Sequence, residues 1–314
     1  MEKNSSNLIA ALPKIIKQLG IRHRYCGDYY QCTCPLHGST KYNSMSIWED
    51  GGWKCWTSDC NEKWGNKLPG LVRGLGADPD KLLAGVQYNV EYKPEEIDLN
   101  LPVLSISRED IRKRLQIPSP YYLGRGFSEE LLDRFDVGDC HAAKTEMKNR
   151  AVFPIYNKDW GLNGCAGRTL LNKSYIQKWK YSKGFKSGRS FFALNHAHDH
   201  IVRQKTVIIV EGQSDTMALH GFGITNAVGA FGAKLSFGQS KLLKEMGVEN
   251  IVLALDPDPP KERNGQMIEG TGPMKMRQII QKYEKDFNIT PVMLESDPDK
   301  ISQADAERIF GNYV

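Results

Sequence analysis

The chain has 314 residues, of which 40% are hydrophobic and 25% are charged, and its formal net charge is +5. These values are typical of a soluble globular protein of two or three domains. No apolar run approaches the roughly 20 residues of a membrane-spanning helix. The N-terminus has too short an apolar stretch and no small-residue cleavage site for a secretory signal, so we expect a cytoplasmic protein without membrane partners.

The first 75 residues predict a small domain built around cysteine. A helix is expected from Leu8 to Leu19, followed by short strands and turns. Five of the seven cysteines lie in the first 60 residues: Cys26, Cys32, Cys34, Cys55 and Cys60. An odd total in a chain without a secretory signal argues against a disulfide framework, and the clustering favours a bound metal.

The spacing of these cysteines indicates a structural zinc site. Cys34 and His37 are separated by two residues, and Cys55 and Cys60, further along the chain, by four. Two short-spaced ligand pairs joined by a loop are typical of a closed, tetrahedral zinc ribbon. Cys32 could replace Cys34 in this set.

Four tryptophans surround the proposed zinc site, at Trp48, Trp53, Trp56 and Trp64. An exposed indole can stack on an unpaired base, with about 1–3 kcal/mol per base. A small ribbon also needs aromatic bulk to shield its metal, so we expect at least two of the four to pack in the core.

Residues 76–106 predict a linker, because they lack cysteine and are rich in Pro, Asp and Glu. An α/β region follows from residue 107. It starts with short helices, one of them capped by Ser128, and continues with a strand at 151–157 and its hairpin partner at 162–170.

A basic run follows the hairpin. From Lys173 to Arg189 the chain carries six basic residues and no acidic residue. Such a run suits a phosphate backbone, and a solvated basic loop is the alternative interpretation.

The last part of the chain alternates between strands and helices. The predicted strands are 206–210, 225–228, 251–255 and 291–294, and the predicted helices are 215–220, 237–246 and 274–283. This alternation is typical of a doubly wound parallel sheet.

Acidic residues follow the predicted strands of this sheet. Glu211 comes directly after the first strand, and Asp256 and Asp258 come directly after the third. If these strands are neighbours, the three carboxylates meet at one edge, where their repulsion invites a divalent cation. Mg²⁺ prefers such oxygen ligands, and Mn²⁺ can substitute for it. Asp297 and Asp299 follow a later strand and are candidates for holding a second ion; turn formation is the alternative role of all five.

Together these motifs resemble those of the bacterial and phage-type (DnaG-like) primases, which join a CHC2-type zinc-binding domain to a Toprim catalytic core. Cys34-Pro-Leu-His37 with Cys55 and Cys60 resembles the zinc motif. Glu211-Gly212 with Asp215, and Asp256-Pro-Asp258, resemble the two Toprim acidic motifs. Further similarities, in the family's order, are Tyr122–Ser128, Arg150–Ile155, Gly167–Arg168, Lys180–Ser182 and Phe192–Asn195.

The resemblance implies an α/β protein with a β-rich zinc ribbon at 1–75, a linker at 76–106, an α+β subdomain with a basic nucleic-acid groove at 107–203 and a Rossmann-like Toprim domain at 204–314. It implies template-dependent synthesis of short RNA primers from ribonucleoside triphosphates on single-stranded DNA, with one structural Zn²⁺ and catalytic Mg²⁺ or Mn²⁺. Glu211, Asp256 and Asp258 would hold the catalytic metal. The groove would be lined by Arg150, Arg168, Lys180, Tyr181, Lys183 and Lys186.

Two features depart from the family pattern. Residues 259–264, Pro-Pro-Lys-Glu-Arg-Asn, form an insertion beside the predicted metal site, and the next helix is expected only after Gly270–Pro273. No phosphate-binding G-x-x-x-x-G-K-[ST] motif of a helicase motor occurs, so a separate replicative helicase is the expected partner. A Toprim nuclease or strand-cutting enzyme and a non-catalytic, zinc-containing single-strand binder are the alternative functions.

Overall fold

The computed structural model describes residues 5–27, 29–58, 60–86, 103–257, 261–263, 266–268 and 270–314. The chain divides into two compact units. The N-terminal unit is Met1–Asp98 with Ser236–Gly238, and the C-terminal unit is Leu99–Leu235 with Gln239–Val314. Within the described ranges, no helix has the length and apolar character needed to cross a membrane.

The N-terminal unit is a four-stranded antiparallel sheet with short helices around it. In chain order its elements are α1 Ser5–Gln18, β1 His23–Tyr25, β2 Tyr29–Cys32, β3 Met45–Trp48, β4 Trp53–Cys55, α2 Cys60–Trp64, α3 Leu68–Gly74 and α4 Pro79–Leu82. The strand order is β1-β2-β3-β4. The predicted N-terminal helix is present as α1, whose residues Leu8, Leu12 and Ile16 repeat at helical spacing and are buried in the core of this unit.

The C-terminal unit begins with short helices and a second antiparallel sheet. Its first elements are α5 Arg108–Lys113, α6 Pro120–Leu123, α7 Glu129–Arg134, β5 Gly138–Cys140, β6 Arg150–Tyr156, β7 Leu162–Thr169, β8 Trp179–Tyr181 and α8 Leu194–Gln204. The strand order is β5-β6-β7-β8. Ser128 caps α7 as predicted, because its side chain accepts from the Leu131 N–H. The strand β8 lies inside the run that the sequence presents only as a basic loop.

The second half of this unit is the predicted parallel sheet. Its elements are β9 Thr206–Val210, α9 Gln213–Gly221, β10 Ala227–Gly229, α10 Phe237–Glu245, β11 Asn250–Leu253, β12 Lys261–Arg263, β13 Gln266–Ile268, α11 Thr271–Tyr283, β14 Asn288–Pro291 and α12 Gln303–Phe310. The strands β10-β9-β11-β14 are all parallel, and β12 and β13 form a separate hairpin that begins in the predicted insertion and ends beyond it.

One strand is misplaced by the prediction. The last strand of the parallel sheet is β14, three residues earlier than the predicted 291–294. It lies at the sheet edge, and most of its residues are exposed. Its largely polar sequence therefore does not show the apolar run by which a buried strand is predicted. The apolar Val292 and Leu294 follow it, and the strand was predicted at these residues instead.

Main-chain hydrogen bonds join the segment before α8 to the parallel sheet of the C-terminal unit. Phe192, just before α8, donates to the Gly229 carbonyl at 2.9 Å, and Gly229 donates back at 3.2 Å. An added Cβ at Gly229 would lie 2.8 Å from the Thr216 hydroxyl and 3.0 Å from the Gly212 carbonyl. A residue without a side chain therefore lets the turn after β9 pack close to β10.

Candidate metal centres and nucleic-acid interface

Three cysteines and one histidine of the N-terminal unit form a compact cluster. Cys34 precedes a short 3₁₀ turn that ends at His37, Cys55 ends β4, and Cys60 begins α2. The Sγ atoms and a ring nitrogen of His37 all lie within 4.8 Å of one another. A tetrahedral zinc ion with Zn–S bonds of about 2.3 Å would separate its ligands by roughly 3.8 Å, so the donor set and its size fit this metal.

The imidazole in this cluster is oriented by a hydroxyl. His37 Nδ1 lies 3.3 Å from Cys60 Sγ and 3.6 Å from Cys55 Sγ. On the other side of the ring, Nε2 lies 3.1 Å from Thr57 Oγ1. A proton on Nε2, donated to Thr57, leaves Nδ1 as the lone-pair nitrogen that faces the three sulfurs.

The structure distinguishes Cys34 from Cys32 as the fourth member. The Cys32 thiol is fully buried and donates to the Tyr30 carbonyl at 3.5 Å, along its own strand. Cys32 is not among the residues whose ligand atoms face one another in the cluster, whereas Cys34 is. Cys34 lies two residues further on, at the mouth of the turn that carries His37.

The four tryptophans divide between packing and exposure. Trp53 is buried and donates from Nε1 to the Lys67 carbonyl at 3.0 Å, and Trp64 packs against the core of the N-terminal unit. Trp56 is 53% exposed, with the Lys54 ammonium 4.5 Å from its ring. Trp48 is half-buried and meets Trp56 edge to face at 6.3 Å.

In the C-terminal unit, the parallel sheet brings Glu211 and Asp256 together. β9 and β11 are neighbours, with Ile209 opposite Leu253, so the loops that follow both strands lie at the same edge. The Asp256 N–H donates to Glu211 Oε1 at 3.2 Å. Asp258 lies outside the described residues. We refer to Glu211, Asp215, Asp256, Asp297 and Asp299 together as the acidic edge.

Asp215 is the most deeply buried residue of the acidic edge. Its carboxylate accepts from the Gly212 N–H at 3.1 Å. Burial raises its pKa to about 7, and the negative charges of Asp256, Asp299 and Asp297 contribute in that order. The predicted second pair of aspartates therefore lies close enough to act on the same site.

An arginine from a distant part of the chain enters this cluster. Arg125 donates to Asp299 Oδ2 at 2.7 Å, although the two residues are 174 positions apart. The Asp299 side chain is only 7% exposed, and the Arg125 guanidinium also lies 5.3 Å from the ring of the buried Tyr122. Sequence reasoning missed this pair: Arg125 lies inside the Tyr122–Ser128 motif, but nothing local reveals its partner.

The predicted basic groove residues differ in their surroundings. Lys183 and Lys186 are exposed, and Lys180 on β8 is half-buried. Arg168 donates from Nε to the Tyr121 hydroxyl at 2.7 Å. Arg150 is only 7% exposed, and its guanidinium donates to main-chain carbonyls.

An aromatic group beside the acidic edge was also missed. Phe231 follows β10 with a φ of 61°, a left-handed conformation that is costly for a residue with a Cβ. Its ring meets Tyr181 at 5.7 Å and Phe185 at 5.3 Å, both edge to face. The next residue, Gly232, donates its N–H to the Glu211 carbonyl at 2.9 Å, which ties this aromatic group to the acidic edge.

Comparison with known proteins agrees with this architecture. Residues 205–293 match the model of the Toprim domain. The DNA primase of Clostridium acetobutylicum is 28% identical over 215 residues, 67% of this chain and 34% of that protein. The DNA primase of Deinococcus radiodurans is 26% identical over 272 residues, 72% of this chain and 46% of that protein. The chain is therefore similar to bacterial DNA primases over two thirds or more of its own length.

A solved primase shows that the likeness extends to the fold. The zinc-binding and RNA polymerase domains of the Aquifex aeolicus primase match with a TM-score of 0.55 and 18% identity, over 98% of this chain and 86% of that one. The predicted α/β class, with an N-terminal zinc-type sheet and a C-terminal Toprim sheet, is confirmed. The chain spans between a third and a half of the length of the two curated primases.

Proposed function

We propose that this protein is a DNA primase, which synthesises short RNA primers from ribonucleoside triphosphates on single-stranded DNA. One observation carries the proposal above all. Glu211 and Asp256 meet at the carboxyl edge of a Toprim sheet, in a chain that also holds a Cys₃His cluster. The domain boundaries 1–75, 76–106, 107–203 and 204–314 are part of the proposal.

Glu211 and Asp256, with Asp258, would hold Mg²⁺ or Mn²⁺, and Asp297 and Asp299 are the proposed ligands of a second ion. Carboxylate oxygens are the ligands that such hard cations prefer. Burial and the repulsion between neighbouring carboxylates raise the pKa of Asp215, and a bound cation would relieve that repulsion. When bound, the metal would orient the triphosphate and stabilise the charge that develops during phosphoryl transfer. The protein's own contribution is positioning: main-chain N–H groups hold the carboxylates of Glu211 and Asp215 in place.

The remaining predicted residues would bind nucleic acid and nucleotide. The exposed Lys183 and Lys186, and the half-buried Arg168, Lys180 and Tyr181, are the proposed contacts to template phosphates and to the triphosphate. Such contacts fix the register of the strand without reading its sequence. The Cys₃His cluster would bind one structural Zn²⁺, and a separate helicase is the proposed partner in replication.

The test is primer synthesis by the purified protein. It is incubated with a single-stranded template of mixed sequence, labelled ribonucleoside triphosphates and either Mg²⁺ or Mn²⁺, and the products are resolved on a gel. We expect short oligoribonucleotides that depend on the template, and no product from Asp256→Asn. Asp159→Asn is the matched control, since Asp159 is an exposed carboxylate in the turn between β6 and β7.

Two outcomes would contradict the proposal. Undiminished synthesis by Asp256→Asn would remove the acidic edge from the reaction. Nicking of supercoiled plasmid without any primer synthesis would instead favour a strand-cutting Toprim enzyme.

A further inference from the structure

The buried Arg150 holds a surface loop in place. Its Nη1 donates to the Gly167 carbonyl at 2.8 Å and to the Lys178 carbonyl at 3.4 Å, and its Nη2 donates to the Gln177 carbonyl at 3.1 Å. A buried guanidinium is costly unless its N–H groups are satisfied, and here main-chain carbonyls satisfy them. Arg150, on β6, therefore fastens β7 to the segment that returns from β7 to β8.

That segment, residues 170–178, is the β7–β8 loop. Its base is closed by main-chain hydrogen bonds of Thr169 to Lys178 at 2.9 Å and of Leu170 to Asn149 at 2.9 Å. Near its tip, Ile176 donates to the Lys173 carbonyl at 3.0 Å. The loop thus has a fixed base and a turned tip, and it presents a defined surface.

The surface of this loop combines an aromatic ring with positive charge. Tyr175 is 79% exposed, and the Lys173 ammonium lies 5.8 Å from its ring. Lys173 and Lys178 are both exposed. The sequence contains no Asp or Glu from residue 160 to residue 198, so the loop itself carries positive charge and no negative charge. Exposed aromatic rings among lysines are the combination with which proteins hold unpaired nucleic acid.

We propose that the β7–β8 loop binds unpaired single-stranded nucleic acid, with Tyr175 stacked on a base and Lys173 and Lys178 on phosphates. Arg150 is a positioning residue in this scheme: it holds the loop and does not touch the strand. A single strand fits better than a duplex, because a ring can stack only on a base face that is not already stacked. This inference rests on the proposed function, in which the strand is the template, and it assigns Arg150 a different role from the predicted groove contact.

The loop residues are tested by measuring the affinity for a labelled, mixed-sequence DNA oligonucleotide. Fluorescence anisotropy gives this affinity at salt concentrations between about 50 and 200 mM. We expect Tyr175→Ala to weaken binding about 5- to 100-fold without changing the salt dependence, since stacking releases no counterions. Tyr175→Phe should bind like wild type. Lys173→Ala should reduce the slope of log affinity against log salt by about 0.7, and the control Lys158→Ala should not.

Arg150 is tested by a substitution that keeps its charge. Lysine cannot reach three carbonyls at once, so Arg150→Lys should weaken single-strand binding as much as Arg150→Met does. Near-wild-type binding by Arg150→Lys, with a loss in Arg150→Met, would show a direct phosphate contact and overturn the positioning role. Circular dichroism checks that both variants fold, and the variants of the exposed Tyr175 test the loop independently of that check.

The outcomes separate this inference from the proposed function. Wild-type affinity in Tyr175→Ala, together with primer synthesis by the wild type, would overturn the loop assignment alone. Equal loss of duplex and single-strand binding in Tyr175→Ala would also overturn it, because stacking on a base needs an unpaired strand. A wild-type protein that neither binds single strands nor makes primers would overturn both.

Discussion

The Cys₃His cluster and the acidic edge differ in what holds them together. The members of the cluster lie between positions 34 and 60, and their ligand atoms face one another across a few ångströms. The acidic edge collects residues from 211 to 299, and hydrogen bonds of the protein hold it: Asp256 donates to Glu211, and Arg125 donates to Asp299. The first is a site that a metal would complete, and the second is a site that the fold builds at an electrostatic cost.

This difference predicts opposite effects of removing a ligand. Three thiolates brought close together repel one another without a cation, so the N-terminal unit should depend on its metal. The acidic edge, in which main-chain N–H groups and Arg125 support Glu211, Asp215 and Asp299, should form without a metal, and loss of one carboxylate should relieve repulsion. Loss of a ligand should therefore lower both function and stability in the cluster, whereas at the acidic edge it should lower function and leave stability unchanged or higher.

The largest expected effect is that of Cys60→Ser. Structural zinc contributes on the order of 10 kcal/mol to the folding of small zinc domains, so loss of one ligand should release the metal and unfold the N-terminal unit. Metal analysis should fall from one zinc per chain to none, and limited proteolysis should cleave within residues 1–75 while the C-terminal unit resists. Cys26→Ser is the matched control, because Cys26 lies outside the cluster. An intact N-terminal unit without zinc would show that packing alone supports it.

The same contrast explains what could be read from the sequence. The ligand spacing of the cluster is local, so Cys34, His37, Cys55 and Cys60 were predicted together, and only the choice between Cys32 and Cys34 needed the structure. That choice depends on which way each thiol points. The direction is set by the pairing of β2 with β3, which the sequence does not display.

At the acidic edge, the sequence shows which residues end strands, but the order of strands decides which of them meet. Glu211 and Asp256 could be paired in advance only on the condition that β9 and β11 are neighbours. The contact of Arg125 with Asp299 depends on the packing of the first half of the C-terminal unit against its second half, which no local pattern specifies. Likewise, the sequence context of Arg150 gives its charge but not its burial.

The second prediction concerns Glu211→Gln. The amide oxygen can still accept from the Asp256 N–H. We therefore expect the free energy of unfolding of the C-terminal unit to stay within about 1 kcal/mol of the wild-type value, or to increase. Primer synthesis should fall by about 1,000-fold or more, and Mn²⁺ binding, followed by electron paramagnetic resonance, should weaken. Destabilisation by several kcal/mol with Mn²⁺ binding intact would remove the contrast with the cluster.

The third prediction uses pH. Because the pKa of Asp215 is raised to about 7 in the folded protein, the folded state keeps a proton that the unfolded state loses near pH 4. This residue therefore lowers stability progressively as pH rises from about 4 to about 7, by at most about 4 kcal/mol in total. Asp215→Asn should remove the effect and gain stability at pH 8 relative to wild type, in denaturant unfolding without divalent cations.

The half-buried His196 and the buried His220 titrate in an overlapping range with the opposite sign, since desolvation lowers their pKa values to about 4 and about 3. They are present in both proteins, so the quantity to measure is the difference between wild type and Asp215→Asn at each pH. Added Mg²⁺ should shrink that difference at pH 8, because a bound cation offsets the same repulsion. A difference that is independent of pH would show that Asp215 is already ionised throughout.

The smallest effect, and the sharpest test of how the acidic edge is held, is that of Arg125→Gln. It leaves Asp299 buried without its charge partner, and because Arg125 is itself about one-third exposed, we expect a loss of only about 1–3 kcal/mol in stability. Mn²⁺ should bind several-fold more tightly, since the guanidinium no longer competes for Asp299 or repels the ion. Arg114→Gln, which removes an exposed arginine from the same unit, should change neither quantity. If Arg125→Gln weakens Mn²⁺ binding instead, then Arg125 orients Asp299 as a metal ligand. The acidic edge would then need the Arg125 guanidinium as much as the cysteine cluster needs its metal.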